Sequence, residues 1–380
     1  MARKKGRGNG DGDVWPRRNK EGRIISYRGA YFGPDGKRRY VSGQTKNETR
    51  NKLRKARSDA NQGVVFDAQN LSLSEYLHRW LKDSVKDTVR ASTYKRYEEV
   101  VRLHIVPALG RIKLKALTPA HVQHFYRERL DSGLSPSTVR KFHNVLHRAL
   151  RQAVRWGLIP RNATEATEPP KETSEEIRPL SEEEARRLLE AAHGDRLEAL
   201  YVLALTTGMR EGELLGLKWE DIVLSNGVLR VKRTLTRNGG KLNFGDTKSK
   251  KGSRQIDLSE EASKALQAHL DRQMDEMERL GDLYEDQGLV STTRKGTPIN
   301  PSNLRQRSFV KLLKKAGLRR VRFHDLRHTC ATLMLSRNIH PKMVQELLGH
   351  ANVAITLDRY SHFMPGMGRN VALTMDEIFA

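Results

Sequence analysis

The chain has 380 residues, with 70 lysines and arginines against 45 acidic residues, a formal net charge of +25 and a sequence pI of about 10.2. This length allows two or three domains, and this charge points to a polyanion as the partner. No run of 18 apolar residues and no signal peptide is present, which excludes a membrane helix and favours a soluble cytoplasmic protein. The single cysteine, Cys330, excludes an internal disulfide and is expected to be a small buried residue.

The positive charge is unevenly distributed. Residues 1–66 hold 18 basic and 6 acidic residues, residues 67–167 hold 18 and 9, and the remainder holds 34 and 30. A basic N-terminal half followed by a nearly balanced C-terminal half is typical of DNA-gripping modules attached to a larger globular domain.

Residues 1–66 are predicted to form a small α+β domain. Short β-type runs around Val14, Ile24 and Tyr40, with a turn at 33–36, predict a three-stranded sheet, and a helix over 45–62 begins with Thr45 as N-cap. Such a sheet can place basic side chains in a DNA groove, although it could equally be a basic module that packs on its neighbours. The candidate DNA contacts are Arg28, Arg38 and Arg39.

Residues 67–159 are predicted to be an all-α unit of four helices, because apolar residues recur at helical spacing and Thr118-Pro119 and Ser135-Pro136 are typical helix starts. Its candidate phosphate contacts, each of which could instead be a plain surface charge, are Lys95, Arg96, Arg140, Lys141 and Arg148. The acidic, proline-containing stretch 160–179 is interpreted as an extended linker.

Residues 180–380 are predicted to form a mainly α domain with a small antiparallel sheet, built from runs at 222–224, 228–235 and 254–258. Arg210 follows a glycine at the start of a helix, where amide groups also favour an anion; its alternative partner is Glu213. The loop 245–254 carries three lysines, and their spacing does not decide which of them reaches a cleft: Lys248, Lys250 and Lys251.

Two later segments hold the remaining candidates. His324 and Arg327 lie one helical turn apart and could address one phosphate. His328, four residues after His324, is similar in spacing to a zinc-protease helix, but Asp325 replaces the required glutamate, and a core histidine is the better interpretation of His328. No metal is therefore expected.

Tyr360 stands ten residues after His350, near the C-terminus. A phenol with a pKa of about 10 is a poor nucleophile at neutral pH and needs cationic neighbours. Arg210, Arg327 and a lysine are side chains suited to a phosphate in transition. The combination predicts phosphoryl transfer on DNA.

Together these motifs resemble the tyrosine recombinase (phage integrase) family. The resemblance rests on Thr-Gly-Met-Arg-Glu-Gly-Glu-Leu around Arg210, on the His324 and Arg327 pair, on His350 after Leu-Leu-Gly, and on Tyr360 before Ser-His, and it runs through residues 178–362. The family's lysine maps best to Lys248. The helical unit resembles the family's core-binding domain, and residues 1–66 resemble the arm-binding domain of lambda-type integrases.

The resemblance implies a mechanism without a cofactor. Tyr360 would attack the scissile phosphate, giving a 3′-phosphotyrosyl link and a free 5′-hydroxyl. Arg210 and Arg327 would hold the nonbridging oxygens and Lys248 would protonate the leaving 5′-oxygen. His324 would handle the tyrosine proton, and His350 would donate a hydrogen bond to the phosphate.

The resemblance also implies partners: double-stranded DNA with core and arm sites, three further copies of the chain in a tetramer on DNA, and an excisionase and a DNA-bending host factor as candidates, all at the nucleoid of a bacterial cell. The leading expectation is the integrase of a prophage or integrative element. A resolvase-type or chromosome-dimer recombinase and a noncatalytic DNA-binding regulator are the alternatives.

Overall fold

The computed structural model describes residues 14–32, 36, 38–61, 71–171, 178–238, 241–246, 252–360 and 375–379. The chain divides into two compact units, residues 1–174 and 175–380. The boundary falls within the stretch interpreted as a linker, and the two predicted N-terminal domains belong to the same unit.

The first unit starts with a three-stranded antiparallel sheet in the order β1 (Val14–Arg18), β2 (Ile24–Phe32), β3 (Arg38–Gly43). Helix α1 (Lys46–Asn61) covers one face, where Tyr31, Leu53 and Ala56 form a small core. Thr45 accepts from the Glu48 amide as predicted, while the Glu48 carboxylate accepts from the Gln44 amide. The predicted turn at 33–36 lies mostly outside the described residues.

The strand register separates the three arginines predicted to contact DNA. Residues opposite each other in an antiparallel pair share a face. Arg39 is opposite Tyr31 and lies on the face that α1 covers, whereas Arg38 is opposite Phe32 on the open face. Arg28, opposite Trp15, also lies on the open face.

The rest of the first unit that the structure describes is mainly helical and packs around one core, with Trp80, Tyr76, Phe125 and Tyr126 among its buried side chains. Its helices are α2 (Leu73–Trp80), α3 (Ala91–Val100), α4 (Val106–Leu109), α5 (Pro119–Asp131) and α6 (Pro136–Arg155), with π-helical turns extending α2 and α3. Thr118 and Ser135 cap α5 and α6 as their proline-flanked positions predict.

The first half of the predicted linker differs from an extended spacer. Asn162, Ala163 and Thr164 are buried, and the His147 ring lies 2.9 Å from the Thr164 hydroxyl. The Asn162 amide donates to the His147 carbonyl. Because their polar groups find partners on α6, these residues pack on the helical unit rather than running free.

The second unit is built on the buried helix α8 (Glu198–Thr207), which packs against α10 (Glu260–Leu280) and α13 (Asp325–Ser336). The helices of this unit that the structure describes are α7 (Glu182–Ala192), α8, α9 (Glu211–Leu215), α10 (Glu260–Leu280), α11 (Pro301–Asn303), α12 (Val310–Lys315), α13 (Asp325–Ser336), α14 (Pro341–Leu348) and α15 (Val353–Tyr360). Residues 375–379 form a short, exposed helical segment.

The strands of this unit form two small antiparallel sheets. One has the order β4 (Ile222–Val223), β5 (Val228–Val231), β8 (Arg254–Asp257), and the other pairs β6 (Arg233–Asn238) with β7 (Lys241–Asp246). The run predicted as one strand over 228–235 thus splits at Lys232 and serves both sheets. Strand β7 was not predicted, because apolar and polar residues alternate only weakly in its sequence, Lys-Leu-Asn-Phe-Gly-Asp. It forms a strand through its pairing with β6.

Among the described residues, the structure has no helix long and apolar enough to cross a membrane.

Candidate functional site

The start of helix α13 carries two of the candidate residues, His324 and Arg327. The Asp325 carboxylate accepts from the Arg322 amide and so stabilises the helix start. His324 lies at the N-cap position and is exposed, while Arg327, one turn further on, is buried. His328 follows on the buried side.

The C-terminal end of α14 gathers three arginines. Gly349 ends the helix in the left-handed conformation with φ 65°. The three successive carbonyls there each accept from a different guanidinium: Leu347 from Arg254 at 2.6 Å, Leu348 from Arg327 at 2.7 Å and Gly349 from Arg210 at 3.3 Å. The last carbonyls of a helix lack partners within the helix and carry its negative dipole end, so they hold cations well.

Arg327 is held from two sides. Its second terminal nitrogen donates to the Gly208 carbonyl at 2.7 Å. Burial, followed by the charge of Arg210, lowers the pKa of Arg327, which means that its charged form is costly in the free protein. An arriving phosphate would relieve that cost, and the guanidinium fork retains further N–H groups to bind it.

Glu213 holds Arg210. The Arg210 side chain donates to one carboxylate oxygen at 2.7 Å, and its backbone amide donates to the other at 3.0 Å. Burial acts to raise the pKa of Glu213, but Arg254 and Arg210 outweigh it and the pKa lies below its ordinary value. The start of α9, predicted to favour an external anion, is therefore occupied by this internal carboxylate, while Arg210 itself stays partly exposed.

His350 is a buried, neutral histidine next to this cluster. Burial, then the charges of Arg327 and Arg210, lowers its pKa to about 3. Its Nδ1 lies 2.9 Å from the Thr356 hydroxyl. When that hydroxyl donates to Nδ1, the ring proton is on Nε2, the nitrogen that can donate to a phosphate.

Tyr360 is fully buried at the end of α15. Its side chain packs against Ala331 and Leu335 of α13 and against Val344 and Leu348 of α14. Burial raises its pKa, although Arg327 and Arg359 act in the opposite direction. The nucleophile predicted from the sequence is thus next to the arginine cluster but closed off from solvent.

The hydroxyl of Tyr360 lies 2.5 Å from Nδ1 of His328, a residue that was interpreted as a plain core histidine. Burial, then the neighbouring His324, lowers the pKa of His328 to about 4, so the ring is neutral. When the ring proton is on Nε2, Nδ1 accepts a hydrogen bond from the phenolic hydroxyl. His324, predicted to handle that proton, contacts His328 edge to face at 5.1 Å between ring centroids. The four-residue spacing of the two histidines was visible in the sequence, but the contact of His328 with Tyr360, 32 residues away, was not.

The three candidate lysines, Lys248, Lys250 and Lys251, lie outside the described residues. A group of three or more His, Cys, Asp or Glu side chains arranged to hold a metal ion is likewise not found in the described part of the chain.

The candidate phosphate contacts of the helical unit form one cluster and three separate positions. Arg96 on α3 and Arg148 on α6 flank the Tyr97 ring, at 6.0 and 5.6 Å from its centroid. Lys95 faces Glu99 at 3.9 Å, and the Arg140 side chain donates to the Pro170 carbonyl. Lys141 is exposed on α6.

On the open face of the N-terminal sheet, cations surround an exposed tyrosine. The guanidinium carbons of Arg28 and Arg38 lie 4.0 and 5.7 Å from the centroid of the Tyr40 ring, and Trp15 meets that ring edge to face. These contacts hold both arginines on the solvent side of the sheet.

Comparison with known proteins agrees with this geometry. Residues 178–365 match the model of the phage integrase family, and residues 72–130 match a phage integrase N-terminal SAM-like domain. A tyrosine recombinase XerC-like protein of Caldanaerobacter subterraneus is 31% identical over 90% of this chain and 92% of its own length. An integrase of Saccharopolyspora erythraea is 27% identical over 95% of this chain and 98% of its own length.

Solved structures share the fold. The Tn1549 transposon integrase in complex with a circular intermediate DNA has a TM-score of 0.69 at 21% identity, covering 80% of this chain and 99% of that one. A lambda integrase tetramer bound to a Holliday junction has a TM-score of 0.58 at 22% identity, covering 93% of this chain and 96% of that one. With the family match and the relatives along the whole chain, the conclusion is that this chain belongs to the phage integrase family of tyrosine recombinases.

Proposed function

We propose that the chain is the site-specific recombinase of a prophage or integrative mobile element, cleaving and rejoining DNA through a 3′-phosphotyrosyl intermediate and a Holliday junction. One observation carries the proposal: Arg210 and Arg327 meet at successive carbonyls of α14, beside a neutral histidine and a tyrosine packed on the same helices. Paired guanidiniums next to a phenol suit a phosphodiester in transition.

In the first step the Tyr360 oxygen attacks the scissile phosphorus. A bond forms between that oxygen and the 3′-phosphate, the bond to the 5′-oxygen breaks, and the 5′-oxygen leaves as a hydroxyl. Arg210 and Arg327 neutralise the charge on the nonbridging oxygens and His350 donates through Nε2. Lys248 is assigned the proton of the leaving group on the family resemblance. The reverse attack by a 5′-hydroxyl of the partner DNA rejoins the strands.

The nucleophile has to change partner before it attacks. In the free chain the Tyr360 hydroxyl is bound to His328 and is fully buried. A base whose pKa is about 4 does not remove a proton from a phenol whose pKa is raised, so Tyr360 stays protonated while it is bound to His328. His324, exposed at the start of α13, stays the candidate to take the proton once the hydroxyl reaches the phosphate.

The test is covalent trapping with the Tyr360→Phe variant. The substrate is a duplex that contains the direct repeat bounding the element. It carries a nick, so the fragment released by cleavage diffuses away. Wild-type protein is expected to form a covalent adduct, and the variant is expected to bind the duplex without forming one. An adduct in the variant would reject Tyr360 as the nucleophile.

The expected partners are core and arm DNA sites, further copies of the chain in a tetramer, an excisionase and a DNA-bending host factor. Solved relatives support the DNA and the tetramer, since lambda integrase is seen as a tetramer on a Holliday junction. We assign arm DNA to the open face of the N-terminal sheet and place the protein in the bacterial cytoplasm, at the nucleoid.

Arm binding can be tested by salt titration. An Arg28→Ala/Arg38→Ala variant is expected to lower the slope of log affinity against log salt for arm DNA by roughly one unit per lost phosphate contact. Arg39→Ala is the matched control, because Arg39 lies on the face covered by α1. Equal effects of the two variants would argue against the open face as the DNA surface.

A second candidate function is resolution of chromosome or plasmid dimers, favoured by the XerC-like relative that matches along 90% of this chain. Two plasmid assays separate the candidates. Integration between two molecules with unlike sites supports the element integrase, whereas deletion between two identical sites on one molecule supports the resolvase.

A further inference from the structure

Arg254 is a buried arginine that the proposed chemistry does not use. It lies at the start of β8, and its side chain is 7% exposed. Burying a guanidinium is costly unless its N–H groups find acceptors and its charge is balanced, and here three acceptors surround it. Its fork donates to the Glu213 carboxylate at 3.0 Å, to the Leu347 carbonyl at 2.6 Å and to the Gly252 carbonyl at 3.1 Å.

Two of these partners lead directly to candidate catalytic groups. Glu213 uses its other carboxylate oxygen to hold the Arg210 side chain at 2.7 Å. Leu347 lies in the last turn of α14, where the next two carbonyls hold Arg327 and Arg210 and the residue after them is His350. Arg254 therefore binds the carboxylate that holds Arg210 and the helix end that holds Arg327 and Arg210.

The charge balance depends on Arg254 as well. Glu213 faces two guanidiniums, Arg210 and Arg254, and is almost fully buried. Without Arg254, one oxygen of a buried carboxylate loses its side-chain partner, and the carboxylate is free to turn toward Arg210. The Leu347 carbonyl at the end of α14 would also lose its donor.

We propose that Arg254 is a positioning residue for DNA cleavage: it orients Arg210 through Glu213 and fixes the end of α14 through the Leu347 carbonyl. It does not touch the phosphate. The inference rests on the proposed function and adds to it a residue that sets the geometry of the arginine pair.

The test compares two scissile groups. Arg254→Met and Arg254→Lys are measured for adduct formation on the nicked duplex described above, with either a normal phosphodiester or a methylphosphonate at the cleavage position. A methylphosphonate has one nonbridging oxygen replaced by a methyl group and is uncharged, so its cleavage needs less help from a well-placed guanidinium. Arg233→Lys is the control. Arg233, at the start of β6, pairs with the buried carboxylate of Asp221, just as Arg254 pairs with that of Glu213.

On the phosphodiester, Arg254→Met is expected to slow adduct formation by roughly 10²-fold, the scale for a misplaced transition-state donor. On the methylphosphonate the loss should be much smaller, with Arg254→Lys intermediate and Arg233→Lys close to wild type. DNA affinity should stay unchanged. If the methionine variant does not fold, the lysine variant gives the same comparison.

Equal losses on both duplexes would overturn the inference, since they would mean that Arg254 only stabilises the fold. A normal rate on the phosphodiester would overturn it too. Wild-type protein that forms no adduct on the phosphodiester would instead overturn the proposed function, and the inference with it.

Discussion

The two halves of the candidate site differ in how their side chains are held and in how far they are open to solvent. The arginine half, Arg210 and Arg327, is fixed by backbone carbonyls and by Glu213, with Arg210 partly open to solvent. The half with the proposed nucleophile, Tyr360, is fully buried and its hydroxyl is bound to His328. Both halves pack on α13 and α14, so the difference arises within one small region.

The contrast identifies the tyrosine as the part that would have to move in the proposed reaction. Backbone carbonyls at a helix end are rigid acceptors, so the arginines need no rearrangement before a phosphate arrives. The tyrosine has to exchange a hydrogen bond and leave an apolar site. In the proposed reaction, cleavage would therefore require Tyr360 to leave its buried site, whereas phosphate binding by the arginines would not.

The strongest loss of activity is expected when the contacts that fix Arg327 are disturbed. Arg327→Lys keeps the charge but cannot form both bonds of the fork, to the Gly208 and Leu348 carbonyls. We expect adduct formation on the nicked duplex to fall by roughly 10²- to 10³-fold with little change in DNA affinity. A rate near that of wild type would show that the fixed arginine is not needed for cleavage.

A smaller effect is expected from disturbing the support of the arginine half. Gly208 has φ +59°, and a Cβ there would lie 2.6 Å from Leu348 Cδ2, next to the carbonyl that holds Arg327. Gly208→Ala is expected to slow adduct formation by roughly tenfold to 10²-fold through a shift of about 1 Å or less.

Gly227→Ala is the matched control. Gly227 has φ +60°, but the nearest atom to a Cβ there is 3.8 Å away. Both alanines cost about 1–2 kcal/mol of backbone strain, so the melting temperature should fall in both. Only Gly208→Ala should lose cleavage; a similar loss in both variants would contradict the role of the Leu348 carbonyl.

The smallest effect concerns the nucleophile half and is seen as pH dependence. The pKa of His328 is about 4 in the folded chain, against about 6.5 when unfolded. Between these values only the unfolded state binds the proton, so the free energy of unfolding falls as pH drops through this window, by up to about 1.4 kcal/mol per pH unit.

His328→Asn cannot titrate, so its free energy of unfolding should fall less steeply from pH 6.5 towards pH 4. Urea unfolding at a series of pH values measures this, with the exposed His124→Asn as control. An unchanged slope in His328→Asn would mean that the pKa of His328 is not lowered in the folded chain.

Much of the architecture could be predicted because local signals carry it. Ser181 caps α7, Ser135 caps α6 and Gly349 ends α14, all at positions readable from side-chain chemistry. The pairing of Lys241–Asp246 with β6 and the packing of residues 162–164 on α6 could not, because both depend on partners supplied by other segments.

Sequence motifs alone indicated the residue types and chain order of the candidate site: two arginines, a lysine, two histidines and a tyrosine. The helix starts and ends around most of them are encoded locally. The folded structure was needed to show that His328 binds Tyr360, that Arg39 faces α1, and that three arginines share the end of α14. The physical reason is that these contacts join groups from 8 to 139 residues apart, and such contacts follow from packing and from the need to partner each buried polar group.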